Sequence, residues 1–221
     1  MASSVDTSSQ TNEMLERTEI GHIIAKYKLP LTIVLALLIF GVIGFGFYTS
    51  QKDKAEQAYA AAIYEFEKSS FTSLQEGKLE TNQYLDKFNL IKKDVSYFKG
   101  LFPLLIKTAD FLIEKGNYEA VDTLLKDFKP HIDNATMIFL VNIRHAVVME
   151  NAGDIKGAID LLEGIIKNGQ KLMEHKVYFD LGRLYVLTGD KEKAKTNLQF
   201  AIDNTVDENL KKMAQVYLSE I

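Results

Sequence analysis

The sequence predicts an all-α protein: one transmembrane helix near the N-terminus, then a solenoid of helical hairpins closed by a C-terminal capping helix. Three observations carry that prediction. An uncharged apolar run of bilayer length occupies residues 29–48, a helix-stop, glycine, polar, helix-start pattern occurs three times, and apolar residues recur every three or four positions elsewhere. The implied organisation is a partly disordered tail over 1–28, the membrane segment over 29–48 and a soluble domain over 52–221.

The run LPLTIVLALLIFGVIGFGFY is twenty residues long, which at about 1.5 Å per residue gives roughly 30 Å, the thickness of the hydrocarbon core. Pro30 falls in its first turn, where a missing N–H costs little, and Tyr27 and Tyr48 bracket it at headgroup depth. A cleaved signal peptide fits poorly. Its apolar region is shorter, and the small-x-small triplet Ala58-Tyr59-Ala60 lies beyond Lys52, Asp53, Lys54 and Glu56. The positive-inside comparison sets Arg17, Lys26 and Lys28 against Lys52, Lys54 and Lys68, nearly a tie. Lys26 and Lys28 abut the membrane and the tail is short, a lean toward the tail inside and the large domain across. Gly41, Gly44 and Gly46 read as ordinary membrane-helix glycines more than as a pairing face.

The first twelve residues, MASSVDTSSQTN, are too polar to offset the entropy of ordering. From 13 to 28, Leu15, Ile20, Ile23, Ile24 and Tyr27 suggest a short amphipathic helix. Beyond the anchor, Tyr59, Ile63 and Phe66 share one face of a helix over 55–68. Tyr84, Phe88, Ile91, Val95 and Phe98 do so over 79–98, before Gly100 and Pro103 punctuate the chain.

The repeating pattern follows. Gly116, Gly153 and Gly189 are spaced 37 and 36 residues apart, each followed by Asn or Asp and a new helix. The last unit resembles the tetratricopeptide family, whose period is roughly 34 residues. Tyr178, Leu181, Gly182 and Tyr185 lie on its first helix, and Ala194, Leu198 and Ala201 on its second. The resemblance implies that Gly182, Tyr185, Ala194 and Ala201 serve repeat packing. Val206 replaces the family's terminal proline. The middle unit keeps Ala146, Ala158 and Leu162 but has Asn142 and His145 where apolar residues are expected; the first keeps Ala109 and Leu125. Leu210, Met213, Ala214, Tyr217 and Ile221 form an apolar stripe on a capping helix beginning near Asp207. By position in the repeat, Ile143, Val147, Glu150, Lys176, Phe179, Arg183 and Val186 face a concave protein-binding groove, or, for the apolar ones, pack against neighbouring helices or the cap. The Lys and Asn pattern with which some family members clamp a C-terminal carboxylate is not recognisable.

Catalytic signals are missing. His22, His131, His145 and His175 form no metal-binding pair, and the chain has no P-loop, dinucleotide fingerprint or nucleophile elbow, so no metal, cofactor or catalytic residues are expected. With no cysteine, disulfides, zinc ribbons, thiol catalysis and a lipidated-cysteine tether are excluded. The net charge of −4 is interspersed, which makes nucleic acid an unsuitable partner. Asn134-Ala135-Thr136 matches a glycosylation acceptor, relevant only in a eukaryotic secretory setting.

The whole layout is similar to that of the YfgM-type proteins, ancillary subunits of the bacterial inner-membrane translocon. The shared features are a short polar tail, one transmembrane helix, an alanine-rich first helix, degenerate tetratricopeptide units and a short terminal helix with Met213 and Ile221. That resemblance implies a non-enzymatic, single-pass adaptor with its N-terminus cytoplasmic and its domain periplasmic. Its partners would be translocon subunits, a membrane-bound periplasmic chaperone and exported clients. The serine-rich, longer tail departs from the family. Two competing readings remain: a scaffold for envelope or division machinery, and a cytosol-facing tetratricopeptide receptor.

Overall fold

The computed structural model describes residues 27–221. The polar tail and most of the amphipathic stretch expected over 13–28 lie outside the described residues. Those described are helices joined by turns, with no strand among them. The chain divides into two compact units, Met1–Ala58 and Tyr59–Ile221.

Helix α1 spans Lys28–Phe66, so the expected helix over 55–68 is a continuation of the apolar one. The reason is local: the linking sequence TSQKDKAEQAYAAA contains no Gly or Pro and is rich in Ala, Gln, Lys and Glu, all good helix formers. The i,i+4 pair Lys52–Glu56, at 3.9 Å, adds a little. Phe40 and Val42 are each 72% exposed, and none of the most apolar window is buried among the described residues. Thr32 and Thr49 donate their hydroxyls to the carbonyls of Leu29 (2.8 Å) and Gly46 (3.0 Å), the internal satisfaction that hydrocarbon demands. Among the described residues this is the one helix long and apolar enough to cross a membrane.

In the second unit a π-helical turn, Glu67–Phe71, follows α1 and leads into α2 (Thr72–Gln75). Phe66 and Phe71, five apart, would diverge by 140° on an α-helix. Across the wider turn both reach the ring of Tyr84, at 5.6 and 6.0 Å. Tyr84 is fully buried, and its hydroxyl shares a 2.7 Å hydrogen bond with buried Thr108.

Helix α3 spans Thr81–Asp94, four residues short of the end expected at Phe98. Its stop is a Schellman closure without glycine. Ser96 N–H donates to Lys93 O (3.1 Å), Tyr97 N–H to Lys92 O (3.2 Å), and both residues take positive φ, 48° and 55°. Tyr97 then stacks on His131, ring centroids 3.6 Å apart, and the tyrosine's burial there fixes the turn. Because a left-handed L-residue costs about 1 kcal/mol, Ser96→Gly is expected to raise stability by about that amount, measured as a higher urea midpoint.

A 3₁₀ turn, Lys99–Leu101, leads into α4 (Phe102–Glu114), with Pro103 in its first turn; α5 is Tyr118–Phe128. Then come a second 3₁₀ turn (Lys129–His131), α6 (Ala135–Asn151), α7 (Ile155–Lys167), α8 (Glu174–Thr188), α9 (Lys191–Asn204) and α10 (Glu208–Ser219). Consecutive helices pack against each other from α4 to α10, α4 also touches α6, and α8 touches α10. Asn134, of the glycosylation-like triplet, caps α6 by accepting from Thr136 and Met137 N–H at 2.9 and 3.1 Å.

The three repeated junctions are built alike. At Gly153, φ +83° lets its N–H reach Glu150 O (3.0 Å) while Asp154 N–H reaches Met149 O (2.9 Å), closing α6. The Asp154 carboxylate then accepts from Gly157 N–H at 2.9 Å, opening α7. Asn117 and Asp190 perform the same capping, accepting from Ala120 (3.4 Å) and Lys193 (3.1 Å). One glycine and one Asx thus satisfy orphan carbonyls and orphan amides at the same corner.

The core falls into three successive clusters: from Ile63 to Val148, among α6 to α9, and among α8 to α10. Helix α10 begins at the expected place, with Asp207 accepting from Asn209 and Leu210 N–H at 2.8 and 3.3 Å. Leu210 and Ala214 are buried, whereas Met213, assigned to the same stripe, is 48% exposed.

Candidate functional site

The residues read from sequence as groove-facing sit on α6 and α8. Ile143 and Val186 are half-buried against the second cluster, and Val147 is half-buried on α6. Phe179 is buried beneath α10, its ring 6.0 Å from that of Tyr217, so it presents no free surface. Lys176 binds Asp180 on its own helix at 2.6 Å, and its ammonium lies 5.5 Å from the Phe179 ring. Glu150 and Arg183 meet as a bidentate pair between α6 and α8, Nη2–Oε2 at 2.6 Å, with a second bond from Nη1 to Oε1. A matching fork joins Arg144 on α6 to Asp110 on α4, with both bonds at 2.7 Å. The structure therefore brings Glu150 and Arg183 together, their charges joining two helices, while the Lys176 ammonium is held by Asp180 and Val147 stays half-exposed on α6.

The packing residues converge more tightly. Gly182, Ala194 and Ala201 are buried in the seam between α8 and α9; a Cβ on Gly182 would lie 2.6 Å from Leu198 Cγ. The Tyr185 hydroxyl donates to Glu163 and receives Lys193 Nζ at 3.3 Å. Burial and the Glu163 carboxylate hold the Tyr185 phenol above its ordinary range, against the opposing pull of Lys193.

His145, out of place in an apolar pattern, is buried with Nε2 3.0 Å from Asp122 Oδ1, and Lys126 Nζ takes the other oxygen at 2.6 Å. Burial pushes the Asp122 carboxyl upward, but Lys126 and His145 together outweigh it and hold it below the usual carboxylate range. A group depressed in the folded state adds stability above its unfolded pKa, about 4, and loses it as pH falls through the lower folded value. Asp122→Asn is expected to reduce the loss of thermal stability as pH falls below about 4, while lowering stability at pH 7; thermal unfolding followed across pH checks both.

Sequence reasoning passed over a cleft of about 520 Å³ between α3 and α5. Asn82, Leu85, Asn89 and Lys92 line it from α3 at i, i+3, i+7 and i+10, beside the apolar stripe that the sequence displays. Lys92 is 7% exposed; its ammonium donates to Asn89 Oδ1 at 2.8 Å and Asp127 Oδ2 at 2.6 Å. The available signal was that second, polar stripe at helical spacing.

No family model, curated protein or solved structure matches the chain. Among the described residues, no three His, Asp or Glu side chains cluster closely enough to hold a metal ion.

Proposed function

We propose that the chain is a single-pass, membrane-anchored adaptor that binds other proteins through a tetratricopeptide-like stack of helical hairpins. The observation that carries this reading is the occurrence in one chain of an apolar helix unburied among the described residues and of helices joined by repeated Gly-Asx corners. An apolar span left unburied by the described residues suits lipid, and stacked helical pairs characteristically offer extended surfaces for partners. By the YfgM-type resemblance, the domain works at the periplasmic face of the bacterial inner membrane. There it would associate with the translocon and a chaperone in handling exported proteins, without catalysing a reaction.

The test pairs two reporters fused after Ile221, one active only outside the cytoplasm and one only inside, with photocrosslinking from Val147. An extracytoplasmic signal with crosslinks to translocon or chaperone subunits supports the adaptor. A cytoplasmic signal overturns it in favour of a cytosol-facing receptor, and crosslinks confined to division or envelope proteins favour a scaffold. Anchoring is tested separately. Leu38→Arg with Val42→Arg adds about 3 kcal/mol per arginine at mid-membrane, and is expected to shift the protein from the carbonate-resistant pellet to the supernatant.

A further inference from the structure

The cleft between α3 and α5 has three properties that together specify a guest. Its walls come first. Asn82 and Asn89 are exposed and lie two helical turns apart on one side of α3. That separation is about 10 Å, the length of about three residues of extended chain. A carboxamide presents both donor and acceptor, as a peptide group does. The Asn89 oxygen already accepts from Lys92 at 2.8 Å, leaving its NH₂ to donate to a guest carbonyl.

The floor is apolar: half-buried Leu85 and Ala120 and buried Leu124 run between the polar walls and offer contact to alternate side chains of a strand-like segment. No aromatic ring lines the cleft for a nucleobase to stack on. An amphipathic helix is a poor guest, because its apolar face would cover the exposed carboxamides of Asn82 and Asn89 without replacing the hydrogen bonds they can make to water.

Charge is the third property. Lys92 is neutralised by Asp127 at 2.6 Å, so the exposed carboxylate of Glu119 leaves the lining with a negative excess. A basic side chain is attracted there and an acidic one repelled.

We propose that this cleft binds a short extended segment of polypeptide through its backbone, with a lysine or arginine of the guest directed to Glu119. The proposal rests on the protein-binding reading and deepens it by naming the surface and the chemistry of the partner.

The test uses the full chain in nanodiscs of uncharged phosphatidylcholine, with empty nanodiscs as the blank. Two end-blocked, fluorescein-labelled hexapeptides serve as probes, one alternating leucine with lysine and the other leucine with glutamate, and binding is read as fluorescence anisotropy. Saturable binding of the lysine peptide is expected, with the glutamate peptide at least ten-fold weaker. Asn82→Leu with Asn89→Leu should weaken the lysine peptide at least ten-fold, and Glu119→Gln should remove the preference for lysine. Thr123→Arg, from an exposed position on α5, should block the cleft with both asparagines intact, which keeps the test decisive if the double variant is unstable. Absence of saturable binding, equal affinity for the two peptides, or binding unchanged in the double asparagine variant and Thr123→Arg overturns the proposal. Translocon crosslinks without peptide binding would overturn the cleft and leave the adaptor standing; peptide binding by a cytoplasm-facing domain would do the reverse.

Discussion

Replacing Gly182 with valine is expected to lower the stability of the helical unit by about 3 kcal/mol, the upper range for overpacking a tight seam. The measurement is a fall in the urea midpoint at unchanged slope. A Cβ at this position meets Leu198 Cγ at 2.6 Å and Cδ2 at 2.8 Å, and the Leu198 backbone nitrogen at 3.1 Å. The leucine side chain can swing aside; the backbone cannot, so α8 and α9 must separate. Separation also opens the seam around Ala194 and Ala201, both fully buried. Gly182→Ala should act in the same direction with a smaller effect, because alanine's better helix propensity returns about 1 kcal/mol. Combining Gly182→Ala with Leu198→Ala should show favourable coupling, since the shortened side chain makes room for the new methyl. A Gly182→Val protein as stable as the wild type would mean that the two helices do not cross this closely.

The second large effect concerns Glu150 and Arg183, whose side chains are only 19% and 21% exposed. Glu150→Ala is expected to cost about 3 kcal/mol, because it leaves a mostly buried guanidinium without its partner. The Glu150→Leu, Arg183→Met double variant is expected within about 1 kcal/mol of the wild type, since apolar replacement of both partners removes the desolvation cost along with the attraction. Thermal unfolding of the single and double variants separates the cases. Equal losses in both would show that the pair contributes net stability beyond mutual neutralisation. The comparison also bears on function: a partner contacting this face would meet a closed ion pair, so crosslinks from Val147 should survive the double substitution.

The sequence made the corners legible because Gly116, Gly153 and Gly189 occupy backbone conformations that other residues resist, and because an Asx side chain is the simplest cap for the helix that follows. The all-helical class and the apolar span were readable for the same kind of reason, as periodicity and length are properties of the chain itself. The early end of α3 was not. Ser96 and Tyr97 adopt positive φ without glycine, held there by the distant ring of His131, 34 residues on from Tyr97 in the chain. The π-turn carries no local mark either; only the convergence of Phe66 and Phe71 on Tyr84 reveals it.

At the candidate site the limits are tertiary. Glu150 and Arg183 could each be placed on the correct helix, but their mutual capture spans 33 residues, and no local pattern announces it. Phe179 lost its surface to Tyr217, which lies on a helix whose docking position the sequence does not encode by spacing. Asn142 and His145, read as defects of the repeat, differ in outcome: His145 has a carboxylate partner in Asp122, whereas the Asn142 side-chain oxygen is buried without a hydrogen-bond partner among the described residues. The cleft between α3 and α5 was missed because its stripe of Asn82, Asn89 and Lys92 looks like an ordinary solvated face until α5 is placed beside it.

Each Gly-Asx corner completes itself with residues no more than a few positions away, and that locality has a kinetic consequence. Chains dominated by contacts near in sequence fold in microseconds to milliseconds. Synthesis at about 5–20 residues per second takes about 2 to 7 s to deliver the 36 or so residues of one corner-to-corner interval. A helical pair can therefore close long before the next is made, and the unit acquires its shape from the N-terminal side onward. Phe179 is finally covered only when α10, the second helix after the Gly189-Asp190 corner, has been made and docks Tyr217 against it.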